Sequence, residues 1–147
     1  MFKLSETDAE FEKKRVRKNA FKKHHRAGFH DKDSLTAWWL AQFEVQGGCC
    51  AYCRTPIDLI RELIESKILK GRNVNGGGVR GKYLELEKMI PKNGYRPENC
   101  VLICYYCNND KSNVYSMEEY IEYLAPAKHR HFMALAKKLD ATKRKSA

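Results

Sequence analysis

Apolar residues recur along this chain in two rhythms. Leu35, Trp38, Trp39 and Phe43 fall at helical spacing and predict a helix from about Ser34 to Gln46, ended by Gly47-Gly48. Core packing accounts for at least one of the adjacent tryptophans, with base stacking the alternative for the other. Ile57, Ile60, Leu63, Ile64 and Ile68 mark the apolar face of another helix. Thr55 is placed to cap it, Pro56 suits its first turn, and Gly71 is expected to stop it. From Tyr83 to Ile90 (YLELEKMI) the rhythm becomes alternation. Pro91-Lys92-Asn93-Gly94 turns, and CVLIC, residues 100 to 104, reads as a returning strand. A helix is expected around CNNDKSN, a capping box at Ser116 to Glu119 begins another, and Pro126 opens a last, basic one. The segment from Ser5 to Arg26 is also helical in pattern, capped by Ser5 or Thr7. Its apolar stripe of Phe11, Ala20 and Phe21 is thin, so it is expected to lie against the domain or a nucleic acid without joining the core. There are no internal repeats.

This order of elements describes an α+β fold. At 147 residues it is read as a basic N-terminal helical arm, 1–30, followed by one domain, 31–147, with a flexible insertion at about 71–82. The glycines of that insertion (GRNVNGGGVRG) lack phosphate-loop spacing, so a nucleotide site is disfavoured. With 28 Lys and Arg against 18 Asp and Glu, the chain carries a formal charge of +10. Such an excess suits a polyanionic partner, because neutralising phosphates releases condensed counterions. Lys14, Arg15, Lys18 and Lys22 on the first helix, Arg72 and Arg80 in the insertion, and Lys111 are the candidate phosphate contacts. No apolar run is long enough to span a bilayer and the first residues do not resemble a signal peptide, so a cytoplasmic location is expected.

Cysteine gives the sharpest chemical signal. Six cysteines fall in two tight groups, and CAYC at 50–53 with CYYC at 104–107 forms two CxxC knuckles. In a reducing compartment such pairs hold metal more readily than they form disulfides. Cys50, Cys53, Cys104 and Cys107 suit a closed tetrahedral Zn²⁺ site with a structural role. Cys49 is ambiguous, and Cys100 reads as a small buried residue on its strand.

Around the second knuckle, LELEKMIPKNGYRPENCVLICYYCNNDKSN, residues 84 to 113, resembles the HNH (ββα-metal, or His-Me finger) endonuclease family. The resemblance is dense over this segment, extends to the first knuckle, and is loose elsewhere. It implies a zinc-clamped ββα-metal core with surrounding helices. By position it implies Glu87 and Asn108 as ligands of one catalytic Mg²⁺ or Mn²⁺. It places Asn113 at the last motif position and Asn99 at the central Asn that ties the loop between the strands. The family's His, the general base, is replaced here by Lys88. Three roles stay open for this residue: a desolvated base, a cation that stabilises phosphate charge while another group takes the proton, or the mark of an inactive site. Tyr83, Tyr52, His24, His25 and His30 are the other candidates for proton acceptor. Taken separately, Glu87 and Lys88 also read as an exposed strand pair and Asn108 as a helix cap. The implied function is a metal-dependent, restriction-like endonuclease acting on double-stranded DNA, with a homodimer suited to a palindromic site. The alternative is an inactive HNH-fold nucleic-acid-binding module.

Overall fold

A computed structural model describes residues 1–22, 25 and 28–147. The chain forms two compact units, Met1–Gly48 with Leu86–Leu102, and Cys49–Glu85 with Ile103–Ala147.

The first unit contains helices α1 (Glu6–Asn19) and α2 (Lys32–Val45). Ser5 caps α1 by accepting the Asp8 N–H at 3.1 Å, and Asp31 caps α2 by accepting the Ser34 N–H at 2.7 Å. Trp39 is buried between Leu35 and Phe43 on α2, whereas Trp38 is half-buried with its ring edge-on to Phe29. Helix α1 corrects the sequence expectation, because Val16 is fully buried and the Glu12 carboxylate accepts the Trp39 indole N–H at 3.1 Å. The apolar stripe was thin because part of this face is a paired carboxylate. The helix also stops at Asn19, well short of Arg26. Gly47 and Gly48, at φ 65° and 69°, end α2 in the left-handed conformation that glycine adopts without a Cβ penalty. Just before them, the Gln46 amide accepts the Leu102 N–H at 3.0 Å and donates to the Leu102 carbonyl at 2.8 Å. A side chain thereby satisfies strand backbone that would otherwise be buried unpaired.

One pair of strands falls where the sequence predicts it, although the first strand is half-buried along its whole length without alternating. Strand β3 (Glu85–Lys88) pairs with β4 (Cys100–Ile103), and the unit boundary falls at their ends, so Glu85 and Ile103 are counted with the second unit. Tyr83 lies before the strand begins.

In the second unit, helix α3 (Ile57–Glu65) starts after Pro56 with no side-chain cap; Thr55 does not fill that role. Ile57, Ile60 and Leu63 are fully buried. The helix ends at Glu65, leaving Ile68 outside it. Gly71 does not terminate α3 but lies immediately before a hairpin, where a Cβ would come within 2.2 Å of the Val79 side chain. That hairpin, β1 (Arg72–Asn73) with β2 (Val79–Arg80), occupies the segment expected to be a flexible loop. Three helices follow: α4 (Tyr105–Lys111), α5 (Met117–Glu119) with its capping box at Ser116, and α6 (Ala125–Ser146). A π-helical turn, Tyr120–Leu124, joins the last two. Leu84, Tyr120, Phe132, Leu135 and Leu139 are buried in this unit. No helix among the described residues is long and apolar enough to cross a membrane.

Candidate metal centre and HNH motif

The two knuckles converge within the second unit. The Sγ atoms of Cys50, Cys53, Cys104 and Cys107 all lie within 4.8 Å of one another, and all four residues are buried. The first knuckle closes as a turn in which Arg54 N–H donates to the Cys50 carbonyl at 2.9 Å, with Arg54 at φ 61°. The second sits at the start of α4, where the Cys107 N–H donates to Cys104 Sγ at 3.4 Å. Crowding sets the acidities apart. Sulfhydryl hydrogen bonds, first from Cys104 and then Cys107 and Cys50, hold the Cys53 thiol far below its usual range. Hydrogen bonding with Cys107, Cys50 and Cys53, together with burial, pushes the Cys104 thiol up. Four thiols this close cannot all ionise without a cation among them, which is the chemistry of a closed metal site. Cys49 stands aside, bridged through its backbone to Pro56, and Cys100 lies buried on β4.

The surroundings of the sulfurs escaped the sequence reading. Thr55 Oγ1 lies 3.4 Å from Cys53 Sγ and 3.0 Å from His129 Nδ1 on α6, linking a metal-site sulfur to an imidazole far along the chain. The buried Tyr120 hydroxyl is raised in pKa first by burial and then by Cys107. Hydrogen-bonded neighbours such as Thr55 orient ligands and tune their basicity.

Asn108 follows directly on the second knuckle. Its Nδ2 donates to Glu85 Oε2 at 2.7 Å. Glu85 is itself clamped by Arg80, whose Nε and Nη2 donate to the two carboxylate oxygens at 2.7 and 2.8 Å. The Arg80 guanidinium lies 4.8 Å from the Tyr105 ring centroid. With one amide N–H on Glu85, Asn108 keeps its Oδ1 as an acceptor, and an amide oxygen is a hard donor suited to a divalent ion. Glu85 was missed in the sequence. The available signal was parity, since Glu85 and Glu87 share one face of the alternating strand.

Glu87, Lys88 and Asn99 belong to the first unit. Lys88 Nζ lies 4.8 Å from the Tyr95 ring centroid, a cation–π contact. Tyr95 is held up in pKa by burial and then by the Glu87 charge. The Tyr95 ring meets His25 edge-on at 4.4 Å, and its carbonyl approaches Gly28 so closely that any Cβ there would collide. His25 is buried and its Nδ1 accepts the Lys22 N–H at 3.1 Å, while His30 is exposed. His24 lies outside the described residues. Asn99, only 5 % exposed, donates to the Ile90 and Gly94 carbonyls at 2.9 and 2.8 Å and accepts the Ile90 N–H at 3.1 Å. It thus ties the loop between β3 and β4. In the second unit, Tyr83 lies under the Arg61 guanidinium, Tyr52 is buried beside Tyr120, and Asn113 is exposed beyond the end of α4.

One solved structure is similar to this chain in fold. It is that of the rare-cutting HNH restriction endonuclease PacI, with a TM-score of 0.58 over 88 % of this chain and 84 % of that one, at 23 % identity. The chain has the HNH endonuclease fold. No protein-family profile matches the sequence, and no curated protein matches it either.

On this HNH fold the candidate phosphate contacts divide. Lys14, Lys18 and Lys22 are exposed, as is Arg72 in the hairpin. Three others are engaged elsewhere. Arg15 turns inward to Glu12, with its guanidinium 5.4 Å from the Trp39 ring centroid. Arg80 holds Glu85. Lys111 is only 3 % exposed, so burial removes it from the surface where a phosphate contact was expected. A count of basic residues cannot separate these cases, because it does not see which carboxylates fold back onto them.

Proposed function

We propose that this chain is a metal-dependent HNH-type DNA endonuclease, restriction-like and sequence-specific, hydrolysing phosphodiester bonds in double-stranded DNA. The observation that carries the reading is Asn108, which follows the second cysteine knuckle and whose amide is oriented by Glu85. On the order of the motif, Glu87 and Asn108 would hold one Mg²⁺ or Mn²⁺. Such an ion would supply neutralisation of charge at the scissile phosphate and acidity toward the leaving oxygen. The four cysteines would take Zn²⁺ and hold the knuckles together. Lys88, placed as a cation over Tyr95, would stabilise charge developing on the phosphate and not act as the base. Asn99 and Asn113 keep positioning roles at either end of the motif. Lys14, Lys18, Lys22 and Arg72 would supply backbone contacts, which give affinity without sequence information. A cytoplasmic homodimer cutting the two strands of a palindrome completes the proposal.

Incubation of purified protein with plasmid and Mg²⁺ or Mn²⁺ should give nicked or linear product. Glu87→Ala and Asn108→Ala should abolish it while zinc content stays unchanged. Lys88 at the position of the family's His favours one second reading, an inactive nucleic-acid-binding module. Intact DNA binding with no nicking under either metal would establish the module.

A further inference from the structure

The solvent face of α6 has an order that the HNH motif does not use. Arg130, Lys137 and Arg144 are exposed and spaced seven residues apart; so are His131, Lys138 and Lys145. Seven residues return an α-helix to nearly the same azimuth, so each trio forms a row, roughly 21 Å long at ~1.5 Å per residue. Between the rows runs a third series, Ala127, Ala134 and Ala141, also exposed. The opposite face carries the buried residues Phe132, Leu135 and Leu139.

Ion pairing separates this face from the rest of the helix. Lys128 is paired with Asp110 and Lys143 with Glu62, and both lie off the alanine line. Among the described residues, none of the six side chains in the two rows has an ion-pair partner, and the helix's one acidic residue, Asp140, lies outside both rows. Two basic rows without ion pairs, one of them with Asp140 a turn away from Lys137 and Arg144, flank a line of alanine methyl groups and face solvent.

We infer that this face of α6 lies in the major groove of duplex DNA, its two basic rows reaching the phosphates of the two strands. The B-form major groove, roughly 12 Å wide, admits an α-helix, and short side chains on the face turned to the base edges leave clearance there. Alanine gives that clearance and can touch a thymine methyl. Two rows suit two phosphate strands, whereas one strand would need one row. The deep, narrow major groove of A-form RNA does not admit the helix. The choice of DNA as the polyanion rests on the nuclease reading; the helix face itself does not.

The test is fluorescence anisotropy with labelled duplex DNA, measured against KCl concentration without added divalent metal. In the triple variant Arg130→Gln, Lys137→Gln, Arg144→Gln, affinity should fall at least tenfold, and the slope of log K on log[salt] should shrink by about 2.7, at ~0.9 per phosphate contact. A control of equal charge, Lys3→Gln, Lys32→Gln, Lys67→Gln, should leave the slope near that of the wild type. Ala134→Gln with Ala141→Gln, uncharged and compatible with a helix, should weaken duplex binding tenfold and leave single-stranded DNA binding unchanged. Circular dichroism confirms folding of each variant. The inference is overturned if the row variant matches the control, if the alanine variant binds duplex normally, or if RNA duplex and single strands lose affinity as much as DNA duplex. A protein that binds duplex through α6 and never nicks it removes the nuclease reading and leaves this one standing. Unchanged binding in the row variant, with nicking intact, does the reverse. A wild-type chain that binds no duplex overturns both.

Discussion

Asn108 Nδ2 and Glu85 Oε2 lie 2.7 Å apart, so the asparagine that follows the second cysteine knuckle is oriented by a carboxylate more than twenty residues upstream. Arg80 grips both oxygens of that carboxylate. The three side chains form a relay whose end product is the direction of one amide oxygen.

Glu85→Gln should therefore lower cleavage without removing any direct metal ligand. A glutamine can still accept from Asn108 but loses the charged fork to Arg80. A loss of about 10- to 100-fold is expected, the usual cost of an outer-shell change. Titration of activity against Mn²⁺ should show weaker metal activation. Wild-type activation would remove Glu85 from the relay.

Lys88 distinguishes charge from base chemistry. If its ammonium stabilises the phosphate, Lys88→Arg keeps most activity and Lys88→Gln loses about 10²- to 10³-fold. Single-turnover rates across pH read this directly. An inactive arginine variant would argue that the lysine does something a permanent cation cannot.

Asn99→Ala deletes three hydrogen bonds from a buried side chain to a largely exposed loop. The Ile90 N–H and the Gly94 carbonyl lose this partner while the Ile90 carbonyl keeps the Asn93 N–H, and a cost of about 1–3 kcal/mol is expected. Urea unfolding measures it. A change below about 1 kcal/mol would mean that the loop is held by other contacts.

Cys104→Ser should release the structural metal and unfold the second unit, because metal binding is part of the folding free energy. Metal analysis and circular dichroism provide the check. Cys49→Ser should retain both metal and fold, since Cys49 lies outside the cluster.

Burial raises the Cys100 thiol from an ordinary 9.0 to about 11, against a lowering hydrogen bond from the Arg96 backbone. The unfolded chain releases this proton first, so above pH 9 it binds fewer protons than the native state. The contribution to stability is therefore full below about pH 9 and is lost as pH rises toward 11. Cys100→Ala should flatten the alkaline fall in stability relative to the wild type. Parallel curves for the two proteins would contradict the assignment.

By itself the sequence determined what local periodicity and ligand spacing encode. The stripe of Leu35, Trp39 and Phe43, the stripe of Ile57, Ile60 and Leu63, the alternation before Cys100 and the two CxxC knuckles could all be read from it. Each depends on residues within a few turns of one another. Tertiary structure alone decided the partners. Gly71 resembled a helix stop until Val79 was packed against it; Arg15 and Lys111 counted as surface cations until one turned to Glu12 and the other was buried. Glu85 looked like one more charge on a strand until Arg80 and Asn108 met it. Side-chain pairing across long sequence separations is set by which surfaces the fold brings into contact, and no window along the chain contains that information.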